Sequence, residues 1–384
     1  MSLSLDRRGF LAGTAALLLA PRVAFAQAAT ERRFVFILQR GAADGLNTVI
    51  PYADPAYASL RGPLAIDAAG AIRLDGSFAL HPSLAQFGAL YTAGEALFVQ
   101  AVASPYRDRS HFDGQNVLES GGTAPYQLKD GWLNRLVGLL PRPGEPAIAL
   151  APTVPLALRG PAEVTSYAPS ALPAAGDDLL LRVQQLYAQD AQLHALWSAA
   201  MQARGMAGAA GLEGKRQDPA ALGRMAANFL AQPKGARIAM IETNGWDTHG
   251  GQNPRLAAQL RALDTLVAAL KQGLGDSWRQ TVVLVATEFG RTAAVNGTGG
   301  TDHGTASAAL LAGGALQGGR VIADWPGLAP AALYEGRDLR PTLGLDALIA
   351  SVAAESFGLE RERVGRVLFP QMAAGQGVPR LLRG

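Results

Sequence analysis

Six short runs in which nearly every side chain is apolar recur along this chain of 384 residues, and they limit the folds open to it. They are Phe34–Leu38, Leu97–Val102, Ala147–Leu150, Ile238–Ile241, Val282–Ala286 and Ala309–Ala312. Continuous apolarity over four to six residues, without alternation, is what a strand buried on both faces requires. Between the runs the spacing becomes helical, most clearly where Leu260, Leu263, Leu266, Val267 and Leu270 recur three and four residues apart. This alternation predicts an α/β fold with a mostly parallel sheet sandwiched by helices. Ligands of such sheets gather at the carboxyl ends of the strands, so the polar residues just after each run are the ones to inspect. Residues 177–232 carry two helical stretches and no strand, with Leu179, Val183, Leu186, Leu193 and Trp197 on one face of the first. They predict a helical insertion, either a lid or extra cover, within a single domain spanning 27–384.

The N-terminus reads as an address. Arg7 and Arg8 precede an apolar stretch, Ala15–Ala20, which meets small residues around Ala24 and Ala26. That order predicts a twin-arginine signal peptide over residues 1–26, although Asp6 stands where such signals usually carry Ser or Thr. The apolar stretch is well short of the roughly 20 residues that cross a bilayer. The expected mature protein is periplasmic or secreted, carries no transmembrane anchor, and meets the twin-arginine translocase during export. Loss of Arg7, Arg8, Arg22 and Asp6 lowers the formal net charge of +3 by two, and so near-neutral a surface argues against nucleic acid or an anionic membrane as partner. With no cysteine in the chain, disulfides and thiolate metal sites are excluded, and any metal must be held by Asp, Glu, His or hydroxyl groups.

The chemistry-bearing residues fall after the runs. After the first comes Arg40-Gly41-Ala42-Ala43-Asp44-Gly45-Leu46-Asn47, with glycines bracketing an acid that is either turned toward a cleft or engaged in an Asx-turn. After the second comes Arg109-Ser110-His111-Phe112-Asp113, opening a helix. Ser110 there is a helix cap or, because helix N-termini favour anions, a hydroxyl nucleophile toward a phosphate or sulfate group. His111 and Asp113 are further candidates beside it. After the fourth run, Asp247 and His249 lie two apart in the glycine-flanked loop Trp246-Asp247-Thr248-His249-Gly250-Gly251, a pairing that suits zinc, manganese or iron. After the fifth come Glu288-Phe289-Gly290-Arg291-Thr292 and then Gly300-Thr301-Asp302-His303-Gly304. Of only five histidines, His111, His249 and His303 stand in these loops, whereas His81 and His194 lie outside them and read as structural. Rare acidic and imidazole groups concentrated at strand ends are what a metal site demands.

As a set these segments resemble the DUF1501 family, exported bacterial proteins placed with the alkaline phosphatase and sulfatase superfamily; the resemblance covers about residues 33 to 370. It implies an alkaline phosphatase-like fold and a metal-binding role for Asp44, Asp247, His249, Glu288, Asp302 and His303. It also implies Ser110 as the nucleophile. The superfamily usually carries Asp-His directly after the strand where this chain has Glu288-Phe289, and the pair Asp302-His303 arrives later, which leaves one divalent ion or two open. The implied activity is hydrolysis of phosphate or sulfate esters, with zinc, manganese, magnesium or calcium as cofactor. Arg291 or Arg109 would grip the anionic oxygens of a small ester or envelope component. The competing expectation is a non-catalytic binding or assembly protein with a degenerate metal site, since Phe289 cannot coordinate an ion. A third is metal-dependent chemistry on other envelope esters or phosphonates.

Overall fold

The computed structural model describes residues 31–140, 147–168, 177–188, 218–233, 235–372 and 378–383, with single positions between 190 and 201. The expected signal segment 1–26 lies outside the described residues. Among the described residues twelve strands follow in chain order: β1 (Arg33–Gln39), β2 (Val49–Ile50), β3 (Ile72–Arg73), β4 (Ala79–Leu80), β5 (Ala96–Ala103), β6 (Ala147–Leu150), β7 (Thr165–Ser166), β8 (Ile238–Thr243), β9 (Thr281–Thr287), β10 (Ser307–Ala312), β11 (Arg320–Ile322) and β12 (Leu343–Gly344). Each of the six apolar runs lies on a strand. The main sheet has the order β11-β5-β10-β9-β1-β8-β6-β7, with β12 also paired to β5, while β2, β4 and β3 form a small separate sheet.

Strand direction decides where the chemistry sits. β1 is parallel to β8 and β9, and β6 is parallel to β7 and β8. Within the described main sheet only β10 runs against its neighbours β5 and β9. The chain therefore leaves β9 and enters β10 at the same rim, so the whole 288–306 connection stays there. The loops after β1, β5 and β8 open on that rim too.

Both faces of the sheet are buried, which explains the lack of alternation. Phe34, Phe36 and Leu38 of β1 face the helices Trp132–Leu139 and Leu345–Phe357, with Trp132 edge-on to Phe36 at 5.0 Å. Val35 and Ile37 point the other way, into helices Ala85–Thr92, Pro219–Ala231 and Gln252–Leu274. Each such side chain fully removed from water contributes roughly 1.5–3 kcal/mol. Helix Gln252–Leu274 buries Leu256, Leu260, Leu263, Leu266, Val267 and Leu270, the face its spacing predicts. Helix Pro219–Ala231 starts with Asp218 accepting from the Ala220 amide and Pro219 in the first turn. It buries Met225, Phe229 and Leu230, so this half of the 177–232 stretch is a layer of the sandwich, not a lid. In the other half, Leu186 and Leu193 are exposed, so the apolar face expected there is turned to solvent at those positions. No helix among the described residues is long and apolar enough to cross a membrane.

Candidate metal centre

Local backbone brings four loops together. Gly41 follows β1 with φ +117°, and a Cβ there would come within 2.8 Å of the Asp247 amide nitrogen. Glycine thus lets the 244–252 loop lie against the end of β1. Its own N–H donates to Glu288 Oε1 at 2.8 Å, tying β1 to β9. After β5, Arg109 takes the left-handed conformation at φ 61°, a conformation that costs a non-glycine residue about 1 kcal/mol or more. The consequence is that the Arg109 carbonyl accepts from His303 Nδ1 at 2.8 Å, across from the end of β9. Helix His111–Ser120 then begins, with Ser110 at its N-cap position and the Ser110 hydroxyl making no capping bond.

Three imidazoles close on Asp247. His111 Nδ1 lies 2.8 Å from Glu288 Oε1, His249 Nδ1 lies 3.0 Å from Asp302 Oδ1, and His303 Nδ1 is held by the Arg109 carbonyl. The carbonyl and the ionised carboxylates are acceptors only, so each Nδ1 carries a proton, and a ring that holds no second proton has its lone pair on Nε2. Those Nε2 atoms converge. His249 Nε2 is 3.0 Å from Asp247 Oδ1 and 3.0 Å from His303 Nε2. His303 Nε2 is 3.4 Å from Asp247 Oδ1, and His111 Nε2 is 3.5 Å from Asp247 Oδ2. His111 Nε2 is buried and has no hydrogen-bond partner among the described residues. Lone pairs facing one another at hydrogen-bond distance repel unless a cation lies among them. His111, Asp247 and His303 each offer a ligand atom within 4.8 Å of the others, a triad that could hold a metal ion, and His249 Nε2 lies beside it at 3.0 Å from His303 Nε2.

A family model described as Protein of unknown function (DUF1501) matches residues 79–368, well over half of the sequence. The chain belongs to the DUF1501 family. No curated protein matches it. Among solved structures, this DUF1501 member is similar to the C-terminal periplasmic domain of EcEptC from Escherichia coli in complex with Zn, at 10% identity and TM-score 0.41, over 93% of each chain. It is similar to a putative sulfatase from Bacteroides thetaiotaomicron at 9% identity and TM-score 0.41, over 91% of this chain and 76% of that one. It is also similar to alkaline phosphatase from the Antarctic bacterium TAB5 at 10% identity and TM-score 0.34, over 73% and 90% respectively.

Around the histidine cluster of this DUF1501 member, buried charges are balanced by specific partners. Burial pushes the Glu288 carboxyl up, but hydrogen bonds from His111, Gln115 and the Gly41 amide outweigh it and hold the group below the ordinary glutamate value. The hydrogen bond to Glu288 raises His111 against the opposing effect of burial. Burial lowers His303, which favours the neutral ligand form. At Asp247 burial is outweighed by Arg291, whose Nη1 donates at 2.6 Å, so the carboxylate stays ionised. Asp302 is lowered by the Asn296 amide and by His249.

Several expected roles change with the geometry. Asp44 is not gathered with the histidines. One of its oxygens caps the short helix Gly45–Thr48 through the Leu46 and Asn47 amides, and the other pairs with the buried Arg61 and accepts from Gln252 Nε2 at 2.5 Å. It is linked to the centre through Gln252, whose carbonyl accepts from Thr248 and Thr301, and through Thr301 to Arg291, as part of its floor. Glu288 and Asp302 stand behind histidines, orienting them. Arg291 is buried and spends its N–H groups on Asp247 and on the hydroxyl and carbonyl of Thr301. The Arg109 guanidinium turns to Asp338 at 2.9 Å and Glu335 at 2.5 Å, so both arginines are engaged with carboxylates of the protein. Asp113 bonds the exposed Tyr126 and stands apart from the cluster. Gln115 and Asn296 went unnoticed in the sequence. Gln115 follows His111 by four residues on one helix, a spacing that puts both on one face and signals the shared contact to Glu288.

Proposed function

We propose that this protein holds one divalent cation through His111, Asp247, His249 and His303, and that it is an exported metal-dependent hydrolase of phosphate or sulfate esters with Ser110 as hydroxyl nucleophile. The observation that carries the reading is the anchoring of three Nδ1–H groups, which turns three Nε2 lone pairs onto one carboxylate. An imidazole-rich donor set favours zinc or manganese over magnesium and calcium. A divalent ion bound there would polarise an ester oxygen and lower the pKa of a neighbouring hydroxyl. Ser110 stands in sequence between the Arg109 carbonyl that holds His303 and the His111 ring, and its hydroxyl is not spent on capping. The N–H groups of the first helical turn favour an anionic group beside it. Glu288, Asp302 and Arg291 keep the rings and Asp247 in place. Export through the twin-arginine translocase to the periplasm or beyond belongs to the same proposal and rests on Arg7, Arg8 and the segment to Ala26.

One observation favours a second reading, a metal-holding binding or assembly protein. Both candidate anion-gripping arginines already pair with carboxylates of the protein. Elemental analysis of the purified protein, with a screen of aryl phosphates and sulfates against Ser110→Ala and His303→Ala, separates the readings. The hydrolase reading expects close to one metal per chain and turnover lost in both variants. Metal without turnover supports the binding reading, and no metal in any preparation sinks both.

A further inference from the structure

A cavity opens at the same rim, lined by none of the clustered histidines, and the proposed function does not use it. Its volume is about 520 Å³, and it lies at the carboxyl ends of β6, β7 and β8 against helices Pro219–Ala231 and Gln252–Leu274. That is the size of a small-ligand site and the place where parallel sheets bind ligands. We infer that it binds a neutral saccharide unit, independently of the metal centre.

Charge narrows the ligand first. Among the described residues no Lys, Arg or His lines the cavity, so none of them receives an anion there. Its two acids are already matched from behind. Glu242 pairs with Arg40 at 2.6 Å, and Asp218 accepts from the Ala220 amide and lies 3.7 Å from Arg224. A cation is therefore not called for, and a neutral ligand remains. The lining then fixes its character. Leu263, Leu266 and the ring of Tyr167, which packs on Phe229 at 5.6 Å, make an apolar wall. The side-chain amides of Asn244 and Gln259 at the cavity make no hydrogen bond to any described residue, so both can donate and accept. Glu242 adds an acceptor beside them. An aliphatic and aromatic wall facing amides and a matched carboxylate suits a ring with one apolar face and a rim of hydroxyl groups.

The test is calorimetry and ligand-observed NMR on the intact protein with maltose, cellobiose and lactose, and with glucosamine and glucuronate as the cationic and anionic counterparts. We expect at least one neutral disaccharide to bind, equally in metal-loaded and chelator-treated protein and in His303→Ala. Binding should weaken at least tenfold in Gln259→Ala, which removes an amide, and in Ala262→Phe, which fills the cavity. The inference is overturned if no neutral sugar binds, if the charged sugars bind better, or if binding persists in both variants. Because the readout needs no metal and no turnover, its failure is distinct from failure of the hydrolase reading.

Discussion

Replacing Glu288 by glutamine tests the anchoring of the imidazoles most directly. The carboxylate is fully buried and takes four bonds: Oε1 accepts from Gly41, His111 and Gln115, and Oε2 lies 2.9 Å from the Thr287 hydroxyl. A glutamine with its carbonyl at the Oε1 position keeps the first three. Its NH2 can donate to Thr287 Oγ1, whose own proton then serves the Gln39 carbonyl 2.8 Å away. The bond count is preserved and only the charge is lost. Removing the charged partner of a ligating histidine weakens metal binding roughly 10- to 100-fold, or about 1.4–2.7 kcal/mol. With the bonds kept, Glu288→Gln should fall near the tenfold end and leave stability within about 1 kcal/mol of the parent. Glu288→Ala strands the Gly41 N–H and the Gln115 amide and releases the His111 ring, so it should lose at least 100-fold in affinity and about 2 kcal/mol or more in stability. Competitive zinc titration against a chromogenic chelator at pH 7.5, paired with urea unfolding, reads both quantities. If both variants bind zinc within threefold of the parent while His303→Ala abolishes binding, Glu288 does not position a ligand and the reasoning fails.

Three further outcomes are expected. Arg61→Met leaves the Asp44 carboxylate buried without its cation and should cost about 3–5 kcal/mol in urea unfolding, and a loss below 1 kcal/mol would contradict the buried pair. In Gly300→Ala the added Cβ would lie 2.3 Å from the His249 carbonyl, so that loop must shift, and zinc affinity should drop at least tenfold with an unchanged far-ultraviolet spectrum. His81 is pushed down to about 4 by burial and then by Arg261, below its unfolded value of about 6.5. The unfolded chain therefore binds the extra proton first, and stability is lost as pH falls through the window between those values, by up to about 3 kcal/mol. His81→Asn, which retains an acceptor for the Ser83 amide, should flatten that slope in unfolding measured at pH 7 and pH 4.5.

The fold was readable because burial on both faces leaves a direct mark: every residue of β1 and β9 is buried, and their central residues Phe34–Leu38 and Val282–Ala286 stand out as unbroken apolar runs. Direction leaves no such mark. β10 is as apolar as β9, yet it runs the other way, and that reversal keeps Glu288 and His303 at one rim. Residue type at a strand end singles out Asp247, His249 and His303 as candidates, but type does not say which atom faces which. Asp44 and Glu288 look alike in sequence, each an acid just after a strand. What separates them is a partner chosen in three dimensions: Arg61 arrives from a short helical segment with no pattern of its own, and His111 arrives from a helix start that reads equally as a cap. The same holds for the arginines. Arg109 contributes its backbone carbonyl, not its charge, because a left-handed residue aims that carbonyl at His303 and sends the guanidinium to Asp338. A buried ionisable group is assigned by whatever neutralises it. The centre can therefore be derived only once each carboxylate has been matched to its cation, and in this protein the carboxylate at the convergence of three free imidazole nitrogens is Asp247.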